Sequence, residues 1–393
     1  MKNQFLLNPE ITYLNHGSFG ACPKPIFEDY QNWQRELEKE PVQFIVNNGP
    51  KYLQKSKQSL AQYLSCNADD FFFTTNPTFA VNTIMRSLNL SKDDEILATN
   101  HEYGALDKMW NYYSKQSGVK YIRQKISLPI VSKQQILDEF WKGLSEKTKV
   151  IFINHMSSAT ALLFPVKEIC DKAREMGIIT IIDGAHIPAH IPLNITDLDP
   201  DYYTGALHKW MLTPKGSSFL YVKRPHQSNL NPLVVSWGYE NPLTTNPFLD
   251  YHQLQGTRDI SAFLTVPTAL KFLKENKWEQ KATDYRKIVR ENYKRFCDLV
   301  GTDPICPITE EFLGQMASIP VKTSDPILLK STLYEKYKIE IPVMVLNDSV
   351  YIRYSINVYN SQADLDILYA AIEDILLTTT LIIRAQPSPQ NNY

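Results

Sequence analysis

The sequence predicts an α/β protein with a mainly parallel seven-stranded sheet in a large domain, followed by a smaller α+β carboxyl-terminal domain. Three observations point there. From about residue 70 to residue 225, short β-rich runs alternate with amphipathic helical stretches, the pattern of strands joined by crossover helices. The residues just after several of these runs are unusually polar, which marks the carboxyl ends of the strands, where such sheets bind ligands. Beyond residue 260 the order changes to helices and widely spaced strands.

The expected strands are Phe71–Thr74, Glu95–Thr99, Lys120–Lys125, Val150–Asn154, Ile178–Asp183, Tyr202–Thr204 and Ser218–Lys223. Helices are expected over Asn82–Leu88, Ala105–Lys115, Lys133–Leu144 and Lys167–Met176. Upstream, Lys24–Glu40 reads as a long helix introduced by Pro23 and Pro25. Pro225–Asp259 is rich in Pro, Asn and Thr and reads as loops crossing the surface or the mouth of a site. The second domain is expected to hold helices Phe263–Lys274, Trp278–Val300 and Ser361–Leu377, with strands near Met316–Pro320 and Val350–Tyr354. These elements divide the chain into an amino-terminal arm (1–20), a large domain (21–262), a small domain (263–385) and a polar, disordered tail (386–393). There is no internal repeat.

Composition narrows the function. Forty-one basic residues against 42 acidic ones give a formal charge of -1, no field to hold nucleic acid or an anionic membrane. The five cysteines (Cys22, Cys66, Cys170, Cys297, Cys306) form no C-x-x-C pair and no disulfide ladder, so neither zinc nor any other metal is expected and a reducing compartment is. The first residues lack a signal-peptide pattern, and the apolar stretch Ile375–Ala385 is broken by Thr378, Thr379, Thr380 and Arg384, too short to span a bilayer. A cytoplasmic location is therefore expected.

Two clusters suggest chemistry. Asp183-Gly-Ala-His186 ends a predicted strand, and a carboxylate there can bind a metal, act as a base, anchor a cationic ring nitrogen, or be an ordinary solvated turn residue. Twenty-six residues beyond Asp183, at 209, a lysine stands between His208 and Trp210 in mostly apolar surroundings. Desolvation lowers the pKa of such a lysine, and the neutral amine can form a Schiff base.

With these residues the chain resembles the class V aminotransferase family of pyridoxal-phosphate enzymes, in its isopenicillin N epimerase-like branch, which implies fold type I. The resemblance runs in order over most of the chain: Tyr13–Pro23 and Arg35–Pro41, Thr75–Asn82, His101–Ala105, Asp183–His186, His208-Lys209, Gly256–Asp259 and Arg353–Asn360. It implies pyridoxal 5'-phosphate as cofactor, Lys209 as its covalent anchor and general base, and Asp183 at its ring nitrogen. Thr78 and Phe79, at a helix start, are implied at the phosphate, where an ordinary Thr N-cap is the plainer alternative; Pro77 departs from the small residue usual there. His186, His208 and Ser158 are implied near the cofactor, with Ser157 and Thr160 alternatives to Ser158 at the ring hydroxyl. His101 or Tyr103 is implied on the ring face, the choice left open.

The resemblance also implies Arg353 as the clamp on a substrate α-carboxylate, a residue that could otherwise pair with a structural acid. Asn15, His16 and Ser18 would line the substrate entrance, and Thr257 with Arg258 would reach a neighbour's site across a homodimer interface. The implied substrate is an amino acid, with epimerisation and carbon–sulfur or other β-elimination ahead of transamination. A non-catalytic relative would lose Lys209 or Asp183, which both stand here, and a nucleotide-binding Rossmann enzyme would carry a G-x-G-x-x-G, which is absent. Cysteine desulfurases share this fold but need a mobile cysteine shortly before the arginine. None lies between Gln315 and Arg353, and Cys306 sits in the proline-flanked turn Pro304–Pro307.

Overall fold

A computed structural model describes residues 1–240, 244 and 246–382. The expected tail, 386–393, lies outside the described residues, as do four positions of the stretch expected to be loops, 241–243 and 245.

Seven strands form the central sheet: β1 (Phe71–Thr74), β2 (Glu95–Thr99), β3 (Lys120–Gln124), β4 (Thr148–Asn154), β5 (Ile179–Asp183), β6 (Tyr202–Ala206) and β7 (Ser218–Val222). Their order is β1-β7-β6-β5-β4-β2-β3, and only β7 runs against its neighbours. Alternation along the strands puts Leu97, Ile151, Ile153 and Ile182 in one apolar cluster and Ile96, Val150, Phe152 and Ile181 in the other. Both faces are thus covered, which is why these strands read as continuous hydrophobic runs.

Helices α1 (Lys24–Lys39), α2 (Gly49–Leu64), α3 (Pro77–Ser87), α4 (Gly104–Ser117), α5 (Lys133–Trp141) and α6 (Val166–Glu175) surround the sheet. Expected starts shift where caps intervene. Thus α3 begins at Pro77 rather than Asn82, because the Asn76 side chain accepts the Phe79 amide at 2.8 Å. Such a cap contributes about 1 kcal/mol. Helix α2 was not expected from the sequence; it opens on Gly49-Pro50 and buries Leu53, Leu60 and Leu64 on one face.

The carboxyl-terminal part contains α7 (Val266–Glu275), α8 (Trp278–Val300), α9 (Pro326–Glu335) and α10 (Gln362–Thr378) on a three-stranded antiparallel sheet. That sheet is β8 (Met316–Val321), β9 (Val343–Leu346) and β10 (Ser349–Ser355), ordered β9-β10-β8. The single helix expected over Phe263–Lys274 is broken at Thr265, where Pro267 enters the first turn of α7. The stretch expected to be loops, Pro225–Asp259, contains a short helix at Pro247–Gln253, capped by Asn246. From the amino-terminal segment, Thr12–Tyr13 pair in parallel with Ile339–Glu340 as a separate two-stranded sheet, tying the arm to the carboxyl-terminal part. Among the described residues no helix is long and apolar enough to cross a membrane.

Candidate active site

The chain reverses its direction of travel across the sheet between β2 and β4, and a crevice opens there beyond the strand ends. Next to it, register places Asn154 of β4 opposite Asp183 of β5, and Asp183 opposite Thr204 of β6. These ends border a cavity of about 530 Å3 whose wall includes Ser18, Thr78, Tyr103, Asn154, Ser158, Asp183, His186, His208 and Lys209.

Lys209 lies in the turn after β6, with Nζ 3.2 Å from His186 Nε2. Burial and the nearby Arg353 guanidinium push its amine down to about 7, while Asp183 pulls the other way. The backbone here is crowded: Gly20 has φ +67°, and a Cβ on it would stand 2.3 Å from the His208 carbonyl oxygen. Glycine lets the amino-terminal arm lie directly on the lysine turn. His208 Nδ1 faces the Ser217 carbonyl at 2.8 Å.

Asp183 is 3 % exposed, and burial raises its pKa. Its side chain accepts the Ala185 amide at 2.9 Å and has no other side-chain hydrogen bond among the described residues, leaving acceptor capacity toward the cavity. His186 is buried as well, and its Nδ1 has no partner among the described residues.

Arg353, on β10, is 1 % exposed. Nη1 donates to the Ser158 carbonyl at 2.5 Å and to Ser158 Oγ at 3.2 Å, and Nη2 donates to Ser18 Oγ at 2.9 Å. Its Nε has no partner, and no carboxylate pairs with it among the described residues. A buried guanidinium without a counter-charge is costly, which favours an anionic ligand over the structural-acid alternative.

The other predicted positions fall differently. Tyr103 lines the cavity and is half exposed, whereas His101 is buried with Nε2 on the Ile126 carbonyl (3.1 Å) and Nδ1 on Thr160 Oγ1 (3.3 Å). Ser157 donates to the His101 carbonyl, so it and Thr160 serve that loop while Ser158 faces the cavity. Thr78 is on the wall; the Phe79 amide is taken by Asn76. The Thr78 amide, in the first turn of α3, keeps no intrahelical partner.

Ser18 reaches the cavity, but Asn15 and His16 do not line it. Asn15 donates to Glu340, and His16 is wholly buried between Tyr359, Asn357 and Trp210. His16 Nε2 lies 2.8 Å from Asn357 Nδ2 and 3.2 Å from the Lys209 carbonyl, and Nδ1 lies 2.7 Å from the Tyr359 hydroxyl, so both ring nitrogens are engaged within the protein. Thr257 and Arg258 also lie off the cavity. Arg258 borders a separate groove of about 800 Å3 and donates to Gln255 and to the Gln253 carbonyl, and its buried Nε has no partner among the described residues.

Sequence reasoning passed over Asn76, Asn154 and Glu102. Asn76 could have been found as an N-cap before proline. Asn154 and Glu102 carry no local signal.

A lysine whose pKa burial lowers to about 7, beside an under-satisfied buried carboxyl group and an arginine with no acid among the described residues, at the carboxyl ends of a parallel sheet, suits a carbonyl cofactor and an anionic substrate. The family model for "Aminotransferase class-V" matches residues 28–368, and the chain belongs to that family of pyridoxal-phosphate enzymes. It is 29% identical over 392 residues to isopenicillin N epimerase of Amycolatopsis lactamdurans, covering 95% of this chain and 97% of that one. A probable chloroplastic L-cysteine desulfhydrase of Arabidopsis thaliana is 26% identical, covering 94% of this chain and 84% of its own. Among solved structures, the apo cysteine desulfurase of Thermococcus onnurineus NA1 matches with a TM-score of 0.81 at 17% identity, over 96% of this chain and 97% of that one.

The residues fit the cofactor. Lys209 supplies an amine readily deprotonated near neutral pH, Asp183 a buried acceptor, and the start of α3 a free amide and the Thr78 hydroxyl.

Proposed function

We propose that this chain is an amino-acid epimerase or carbon–sulfur β-lyase in which Arg353 holds the substrate α-carboxylate and Lys209 moves the α-proton. The observation that carries the reading is the buried, unpaired Arg353, fixed to Ser18 and Ser158 on the wall of the cavity that contains Lys209. When bound, pyridoxal phosphate supplies an electron sink that acidifies the bonds to the substrate α-carbon. Lys209 would hold it covalently, Asp183 would keep its ring nitrogen protonated, and the Thr78 amide and hydroxyl would take its phosphate.

Nη1 spends both protons on Ser158 and Nη2 one on Ser18, so the free donors of Arg353 are Nε–H and the second Nη2 proton, an adjacent pair that suits a planar carboxylate. Ser18 Oγ accepts from Arg353, so its own proton is available to the same carboxylate. This fixes the α-carbon relative to Lys209 Nζ, which, as a neutral amine, can accept the α-proton with His186 Nε2 close enough to share it. A second acid is then needed, on the opposite side for epimerisation or near the β-substituent for elimination. His101 and His16 are engaged with protein partners, which leaves the Tyr103 hydroxyl as the donor for either role. The epimerase and desulfhydrase relatives support both outcomes.

The holoenzyme incubated with a panel of L-amino acids tests this. Solvent deuterium entering the α-carbon with inversion supports epimerisation, and release of ammonia and a keto acid from a cysteine-type substrate supports elimination. No α-exchange and no spectral change with any amino acid would sink the reading.

The working unit we propose is a homodimer. The groove beside Arg258 is lined by the exposed Ile45 and Val46, Trp237 is 85 % exposed, and the Arg258 Nε has no acceptor among the described residues. Thr257 and Arg258 would then serve the neighbour's phosphate; a cofactor-saturated, active monomer in sedimentation would refute this. Five free cysteines support a cytoplasmic location.

A further inference from the structure

Glu102 is a buried carboxyl group, its pKa pushed up to about 8 by burial, that the proposed chemistry leaves unused. It is 3 % exposed, does not line the cavity, and stands between Thr99, the last residue of β2, and Asn154, the last residue of β4. These strands are neighbours, yet their pairing stops at Leu97 and Ile151 because the chain diverges at this crevice. The backbone amides beyond that point lose their ladder partners, and a buried amide without one is expensive.

Glu102 fills the gap. One oxygen accepts the Thr99 amide (3.2 Å) and the Thr99 hydroxyl (2.6 Å); the other accepts the Asn154 amide (2.8 Å). The preceding residue is clamped too: the His101 amide donates to Thr99 Oγ1, and the His101 carbonyl accepts from Asn154 Nδ2 and Ser157 Oγ. The next residue is Tyr103, whose ring lines the cavity and whose hydroxyl has no hydrogen bond among the described residues. Nothing on the tyrosine's own side chain fixes its place. The backbone on which it is mounted does.

We propose that Glu102 is the positioning residue of Tyr103: its two carboxyl oxygens replace the missing rungs between β2 and β4 and so set the tyrosine ring against the cofactor. The inference rests on the reading that Tyr103 faces the cofactor ring. Glutamine has the shape of glutamate but turns an N–H₂ toward one of the donors, so Glu102→Gln breaks one side of the bridge without opening a cavity.

The test is a double-mutant cycle on full-length apo protein, titrated with pyridoxal phosphate and followed by the visible circular dichroism of the bound cofactor, with no amino acid present. Tyr103→Ala should weaken cofactor binding about tenfold, the scale of one aromatic contact. Glu102→Gln should weaken it several-fold and reduce the dichroic band in the wild-type background. In the Tyr103→Ala background it should change neither by more than about twofold, since the ring it positions is gone. Equal effects in both backgrounds overturn the positioning role. An unchanged affinity in Tyr103→Ala overturns the ring-facing premise instead, and neither outcome depends on which amino acid is turned over. If Glu102→Gln does not fold, Thr99→Val, which removes the shortest hydrogen bond to Glu102, enters the same cycle and must show the same dependence on Tyr103.

Discussion

Replacing Arg353 with methionine separates its two possible roles, because substrate binding and stability should respond differently. In the substrate complex the guanidinium would make two charge-assisted hydrogen bonds to the carboxylate, each contributing about 1.5–3 kcal/mol. Losing both costs about 3–6 kcal/mol, or roughly two to four orders of magnitude in kcat/KM. Stability should barely move. The variant gives up the hydrogen bonds to Ser158 and Ser18, at about 1–3 kcal/mol for acceptors left unsatisfied. It also removes a buried charge that has no counter-ion, a change that returns about 1–4 kcal/mol when an apolar side chain fills the space. The two offset, so the melting temperature should stay within about 5 °C of wild type. The assay pairs kcat/KM for an amino acid with that for the amine lacking its carboxylate, alongside thermal unfolding of both proteins. A variant that melts far below wild type yet keeps kcat/KM, or that loses equally on both substrates, would show that Arg353 is structural.

Burial depresses the Lys209 pKa to about 7, so the amine is charged below that pH and neutral above it. Covalent capture of pyridoxal phosphate by the apo chain, trapped with borohydride, should therefore accelerate as pH rises through about 7 and level off well below the ordinary lysine pKa of about 10.4. A rate still climbing in proportion to hydroxide at pH 9–10 would contradict the depressed value. Asp183→Asn should retain cofactor affinity within about tenfold but lose roughly a hundredfold or more in kcat, because the neutral amide cannot hold the ring nitrogen protonated; similar losses in both would reduce Asp183 to a binding contact. Cys306 is buried, and burial pushes its thiol up to about 12, so incubation with cysteine should leave no persulfide on it and Cys306→Ser should be fully active. Mass spectrometry finding a persulfide there would falsify that assignment.

The sheet was legible because a strand buried on both faces leaves an unmistakable apolar run, and because the polar residue ending each run stands where ligands bind. Lys209 and Asp183 could be singled out on that basis, and the structure brings both to one cavity. The hairpin of β9 and β10 was only half legible: Val350–Tyr354 reads as a strand, but its partner Val343–Leu346 turns back through Asn347 and Asp348, both with positive φ, with no glycine to mark the turn. His101 and Tyr103 could not be told apart locally, since both follow the same strand within four residues.

The sequence by itself determined the α/β fold and singled out Asp183 and Lys209, because apolar periodicity and strand-end position are properties of neighbouring residues, and the order of its motifs carried the resemblance to the family. Only the tertiary structure decided which side chains face the cavity. It turned Tyr103 inward and bound His101 to Ile126, buried His16 beneath Lys209, and left Arg353 without an acid. Each outcome depends on partners far away in the chain, such as Ser18 and Ser158 for Arg353. Hydrogen bonds made across such distances leave no pattern in the local order of residues.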